Sequence, residues 1–540
     1  MSITRLYKVI VMMSSLTLLS SSSFFLSNYL TDKVLTGRFN ENQFNYAVKM
    51  DNVEALKVAV NEQGITESRW LTLSRKLAKY DGVAAISLGK YYFKLAGREK
   101  GGLYTGKAKM WFYQAIRLNT KAGFIGLAKL NFKQGNIIQA KENLQRLALL
   151  NAGNSNNTPT EDEVILSLKI AIYQGEVNEV KSLYSRLVQR NYLKTNSLNS
   201  DEHEQLLADV LRFQVLPQNP KLDVVFPLAE DLSSCLSNLQ LFATNLAHLE
   251  HLEKLISQFK SQQTLGRFIC LPTPRYISKK QLQCINESDK AISCEESRWQ
   301  KVASSVNTQY IGLMLENGGA NVHLGMLYFD VKDDVNVFSH EVSHLLGFVD
   351  EYPLVTGHEA CQKPQQKPFS HNIVTLKSFH KGDRDAIRKS LLSAIPWSHL
   401  INKETPILTR VKPDQANAQY WQLGTPSSHA DKVGLFTSET CSNARDSKGK
   451  SSEQLIERFE AYKPVMRATQ LRYYSHEFPE EYMTLITAAP FDFLMPSFHY
   501  NIALALYQQG KVVQAKRWLQ QSLKFEESRK SKERFMKRFD

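Results

Sequence analysis

The sequence predicts a multidomain chain with an α-helical repeat N-terminal region, an α+β domain after it, and a repeat-type helix pair at the C-terminal end. Three observations carry this. A length of 540 residues exceeds what one core ordinarily organises. A pattern of small residues and turn glycines recurs around Gly135, Gly175 and Gly510. Helical periodicity gives way to β-branched sequence at "VLPQNPKLDVVFPL", where Pro217 and Pro220 close the helical part. With 43% hydrophobic and 10% aromatic residues, the chain has apolar material for several cores. The formal charge of +14 favours anionic surfaces, but no basic stretch is interleaved with aromatics, which argues against a nucleic-acid partner.

Residues 1–35 read as an export segment, because Arg5 and Lys8 precede a largely apolar run from Val9 to Leu30. That run is long enough to span a bilayer, while its strongest part, Val9 to Leu19, has the length of a signal-peptide core. No clean Ala-x-Ala site follows. The favoured expectation is an uncleaved membrane anchor holding the rest at the periplasmic face of the inner membrane; the alternative is a cleaved signal and secretion. The six cysteines (Cys235, Cys270, Cys284, Cys294, Cys361 and Cys441) are even in number and form no CxxC pair, which suits disulfides of unassigned connectivity in an oxidising compartment.

Residues 36–216 form the helical-repeat region. In "AGFIGLAKLNFKQGNIIQAKENLQRLALL", Ala128, Gly135, Ala140, Leu144 and Leu147 supply small residues at a helix crossing, a turn glycine and an apolar second helix. The stretch resembles a tetratricopeptide repeat. "EVILSLKIAIYQGEVNEVKSLYSRL" is a second copy, and "AAISLGKYYFKLA" with "KAKMWFYQAIRL" is similar to the related Sel1 pattern. Residues 491–540 hold the displaced copy, "HYNIALALYQQGKVVQAKRWLQQSLKF", and a charged tail. Such helix pairs stack to hide one another's apolar faces, and a protein partner on a concave face is the functional expectation beside that structural one.

Residues 221–490 are the α+β domain. "LDVVF" opens it as a strand, a helix follows around 231–259, then a strand-like "RFICL" and a cysteine-bearing loop. In "QYIGLMLENGGANVHLGMLYFD", two apolar runs joined by Gly318-Gly319 read as a hairpin.

The chemistry lies next, in "FSHEVSHLLGFVDEYPL", residues 338 to 354. Asp333 and Asp334 are N-cap types, and Val335, Phe338, Val342, Leu345 and Leu346 recur at helical spacing, which predicts a half-buried helix over 335–346. His340 and His344 stand one turn apart on one side, as two imidazoles gripping one ion must. Glu341 lies beside the first, placed to act as general base toward water at that ion. Chance supplies about 0.03 such histidine–acid–histidine spacings in a chain with 13 histidines and 53 acidic residues, so the motif is informative without being decisive. Gly347 sharpens it, since a left-handed glycine there stops the helix and turns the chain back. Asp350 then completes three ligands, with one position open for water. The competing reading is a core helix whose histidines bond to backbone carbonyls.

HEVSHLLGFVDEY fits the signature H-E-x-x-H-x-x-G-x-x-[HD] and so resembles metzincin-like zinc peptidases. The aspartate version occurs in snapalysins and in the bacterial IgA-peptidase family, whose motif also continues with Asp-Glu-Tyr. "NIVTL" (372–376), "IPWSHLI" (395–401), "VGLF" (433–436) and "AYKPVMRA" (461–468) look like blocks that follow in the same order in that family. The similarity covers about residues 320–468, is weak over 222–319 and is absent from the repeats. It implies a metzincin-like fold, one catalytic Zn²⁺ on His340, His344 and Asp350, and endopeptidase chemistry, without implying immunoglobulin as substrate. It also implies a methionine turn with Met466 packed beneath the metal. The substrate is then expected to be a polypeptide extended along an edge strand in "ANVHLGMLYF". Tyr352 and Tyr462 are candidate oxyanion stabilisers.

Glu351 and His358 are rivals of Asp350, and Glu359 is the nearest glutamate for a gluzincin arrangement. Two other classes compete with a peptidase: a non-catalytic repeat scaffold carrying a relic domain, and a structural zinc domain with a closed fourth position.

Overall fold

The computed structural model describes residues 25–62, 68–97, 102–152, 158–191, 200–216, 235–288, 290–411, 420–447 and 459–526. The apolar run up to residue 24, the proline boundary with "LDVVF", and the charged tail lie outside them. Chain contacts define two compact units, residues 1–171 with 178–198, and residues 172–177 with 199–540.

The first unit is helical. α1 (Glu41–Lys49), α2 (Val53–Asn61), α3 (Ser68–Leu77), α4 (Gly82–Ala96), α5 (Leu103–Arg117), α6 (Ala122–Lys133) and α7 (Ile137–Ala152) each pack on the next in sequence. Asn40, Asn52 and Asp81 start α1, α2 and α4 by accepting a backbone N–H three residues on. α6 and α7 turn at Gly135 (φ +76°), and α8 (Glu161–Gln174) and α9 (Val177–Asn191) at Gly175 (φ +75°), the left-handed conformation expected of those glycines.

The second unit is mixed α/β. After α10 (Ser200–Arg212) come β1 (Ser237–Ala243), α11 (Leu246–Gln262), β2 (Ile269–Cys270), β3 (Arg275–Tyr276), β4 (Cys284–Ile285), β5 (Ser293–Cys294), β6 (Tyr310–Leu315), β7 (Asn321–His323), β8 (Met326–Asp330) and α12 (Val335–Leu345). The main sheet runs β2-β1-β6-β8-β7, with β3 also on β1. All its pairings are parallel except β7 with β8.

Two expectations fail here. The helix placed over 231–259 begins only at Leu246, where Asn245 caps it; residues 237–243 are a sheet strand. A strand buried on both faces has the same unbroken apolar character as a buried helix. The hairpin through Gly318-Gly319 does not form, because β6 and β8 run parallel with Ile311 opposite Met326. The antiparallel partner of β8 is β7, through a turn at Leu324 and Gly325. Among the described residues β7 is an edge of the sheet and packs beside α12, so the edge within "ANVHLGMLYF" is its first half.

Two small antiparallel sheets follow, β10-β12-β11 and β13-β14-β9. Their strands are β9 (Val374–Lys377), β10 (Phe379–Lys381), β11 (Leu408–Val411), β12 (Tyr420–Leu423), β13 (Phe436–Ser438) and β14 (Phe459–Lys463). Then come α13 (Glu480–Ala488), α14 (Phe498–Gln508) and α15 (Val512–Ser522). The last two turn at Gly510 (φ +75°), as expected of the displaced helix pair. They are not a separate unit over 491–540, however. Phe498, Tyr500, Ile502, Leu506, Ala515 and Leu519 share one core with Phe242, Trp299, Leu313 and Tyr328, so the pair covers a face of the main sheet.

Disulfides join Cys235 to Cys270, Cys284 to Cys294 and Cys361 to Cys441, which accounts for all six cysteines and suits a protein of an oxidising, extracytoplasmic compartment. Among the described residues no helix is long and apolar enough to cross a membrane.

Candidate metal centre

α12 starts where the Asp334 carboxylate accepts the N–H groups of Asn336 and Val337, at 2.9 and 3.1 Å. Phe338, Val342, Leu345 and Leu346 are fully buried, and Phe338 packs edge-on to Phe259 of α11 at 5.1 Å. The helix is buried on its polar side too, with His340 1% and Glu341 5% exposed. Gly347 ends it at φ +91°, and a Cβ there would lie 2.4 Å from the Phe493 carbonyl oxygen, so the turn admits only glycine.

That turn brings Asp350 back under the helix. His340 Nε2 lies 3.1 Å from His344 Nε2 and 3.1 Å from Asp350 Oδ1, and His344 Nε2 lies 3.3 Å from the same oxygen. The other ring nitrogens are engaged: His340 Nδ1 donates to the Gln470 carbonyl and His344 Nδ1 to the Phe348 carbonyl, both at 3.0 Å. Those bonds fix the tautomers and turn the Nε2 lone pairs inward. Among the described residues no hydrogen-bond donor is assigned to the buried Asp350 Oδ1. Three lone-pair atoms thus face one another, which is unfavourable unless a proton or a cation lies between them. A tetrahedron with this triangle as one face has its centre about 1.9–2.0 Å from each corner, close to metal–nitrogen and metal–oxygen bonds of about 2.0–2.2 Å. His340, His344 and Asp350 therefore form a group that can hold a metal ion.

The electrostatics agree. Burial lowers the His344 imidazole, but the Asp350 carboxylate and then Glu341 outweigh it and hold the ring at about 9. Burial raises Asp350, and the imidazoles of His344 and His340 reverse that, holding its carboxyl well below the usual carboxylate range. Without an ion the site thus keeps a proton in its place. Burial raises the Glu341 carboxyl against the opposing imidazoles.

The other candidates separate. Tyr352 lies parallel to the His340 ring at 6.2 Å, and burial with the nearby Asp350 carboxylate raises its phenol well above the ordinary value. Tyr462 is fully buried in β14, where its hydroxyl donates to the Leu423 carbonyl, and it belongs to the core of that small sheet. Met466 is 46% exposed and so is not packed beneath the His340, His344 and Asp350 group; the segment touching His340 is 470–474 instead. Glu351 is buried against Lys463 and Tyr482, which removes it as a ligand. His358 accepts the Ala360 N–H in an exposed turn, and Glu359 begins a short 3₁₀ turn, so no second helix presents a glutamate there.

Sequence reasoning missed Tyr474, whose ring meets His340 edge-on at 4.7 Å and whose phenol is raised by burial and then by Glu341 and Asp350. It also missed Thr440, which donates to the Asp350 carbonyl at 2.8 Å, and Asn372, which holds the backbone of Val349 by both its N–H and its carbonyl. None has a local signal, since each arrives from a distant segment. No known protein family, curated protein or solved structure matches the chain.

Proposed function

We propose that this protein is an exported zinc-dependent endopeptidase. The observation that carries the reading is the convergence of the His340, His344 and Asp350 lone pairs, with the buried carboxyl of Glu341 one residue from the first ligand. Two imidazoles and a carboxylate also suit ferrous iron. Glu341 favours hydrolysis, because a proton-accepting group beside the ligands is what water activation needs. Among the described residues no fourth His, Cys, Asp or Glu joins the group, and every cysteine is in a disulfide, which supports an open position over a closed structural site.

A bound zinc ion would supply Lewis acidity and a water that ionises near neutral pH. The chain does the rest. The Gln470 and Phe348 carbonyls hold the two imidazoles. Glu341, made more basic by burial, takes a proton and returns it to the leaving amine. The Tyr352 hydroxyl is offered as a donor to the developing oxyanion. β7, paired on one side only among the described residues, accepts an extended polypeptide through backbone hydrogen bonds with little side-chain selectivity. The helical unit is assigned protein-partner binding.

The test is metal analysis of the purified chain, with a peptide-library digest by wild type and Glu341→Gln. The expected result is one zinc per chain in both, and cleavage at least about 100-fold slower in the variant. A wild-type chain without bound metal, or equal cleavage by both proteins, refutes the proposal.

A further inference from the structure

Directly after Asp350, the Glu351 carboxylate is 2% exposed and accepts from Lys463 Nζ of β14 on one oxygen and from the Tyr482 hydroxyl of α13 on the other. Lys463 is 7% exposed and also donates to the Arg467 carbonyl at 2.9 Å; Tyr482 is fully buried. Burying an ion pair is a poor route to stability, since well-packed apolar residues in its place are often as stable or more so. What such a cluster does supply is direction, because a buried charge must keep its partners in one geometry.

The connections show what is being directed. The Glu351 N–H donates to the Leu471 carbonyl at 3.0 Å. The neighbouring Gln470 carbonyl is the one that orients His340. Lys463, by holding the Arg467 carbonyl, ties the start of that same segment to Glu351. One cluster therefore connects the chain that carries Asp350 to the chain that aims His340.

We propose that the buried Glu351–Lys463–Tyr482 cluster is a positioning device that sets the metal affinity of the centre by fixing Asp350 relative to His340. This rests on the reading of those residues as metal ligands.

The experiment uses the full chain and Co²⁺ as probe, with Tyr482→Phe and the apolar triple variant Glu351→Leu/Lys463→Met/Tyr482→Phe. Affinity is read by competition with a chelator, geometry by the visible absorption of bound Co²⁺, and stability by melting of the metal-free proteins. The expected result is Co²⁺ affinity down about 10-fold in Tyr482→Phe and about 10- to 100-fold in the triple variant. The Co²⁺ bands should change in intensity, while at least the triple variant melts cooperatively within a few degrees of wild type. Folded variants with wild-type affinity and spectrum overturn the proposal. So does loss of cooperative melting in both, which would make the cluster a staple of the fold. Absence of Co²⁺ binding by wild type overturns the metal-centre reading and this inference with it, a result distinct from the other two.

Discussion

Loading the metal-free centre should expel a proton, and the structure gives the amount. An imidazole held at about 9 is about 99% protonated at pH 7, so an ion taking the His344 Nε2 position displaces close to one proton. Apparent affinity should then rise about tenfold per pH unit between pH 7 and 8. In Asp350→Asn the carboxylate that raises the ring most is gone, leaving burial opposed only by Glu341 and the Phe348 carbonyl, so the ring titrates lower and a smaller share is protonated at pH 7. The informative quantity is therefore the proton carried by His344 in the metal-free proteins, nearly complete in wild type at pH 7 and clearly less in the variant. NMR titration of the imidazoles in both metal-free proteins measures it. Equal His344 midpoints in the two proteins would refute the account of what Asp350 does to His344. The sign for the metal-free fold follows from the same shift: stability from a raised imidazole is fully present below 6.5 and is lost as pH rises through about 9.

Gly347→Ala places a Cβ 2.4 Å from the Phe493 carbonyl in a left-handed residue, and should cost at least about 2 kcal/mol in denaturant unfolding as well as weakening metal binding. Cys361→Ala/Cys441→Ala opens a disulfide spanning 80 residues, for which chain entropy predicts a loss of about 4.5 kcal/mol; because Thr440, the neighbour of Cys441, holds the Asp350 carbonyl, Co²⁺ affinity should fall as well. His371 is buried between Phe348 and Phe493 with its pKa lowered by burial to about 4. Its contribution is therefore full above 6.5 and is lost as pH falls toward 4, by about 3 kcal/mol, and His371→Phe should show a correspondingly smaller acid loss in unfolding free energy.

Local pattern made much of this legible. The helix at 335–345, its cap at Asp334 and the turn glycines Gly135, Gly175, Gly347 and Gly510 depend on residues within a few positions of one another. The pair His340 and His344 followed from the 3.6-residue period alone. Where a segment is buried on both faces that period carries no information, which is why Ser237–Ala243 passed for helix. Parallel pairing of β6 with β8 was hidden for a related reason, since two apolar runs separated by glycines suit a hairpin as well as a detour through β7.

Met466 marks the limit of motif reading: its block follows the helix in the expected order, yet its side chain is 46% exposed while Gln470 meets His340. The sequence by itself determined which residue types could bind an ion and which helix would carry two of them, because backbone geometry ties spacing to direction. Only the tertiary structure decided that Asp350, and not Glu351 or His358, faces those imidazoles. It alone also placed Gln470, Tyr474 and Thr440 around them, because such contacts depend on how distant segments pack and no local period records that.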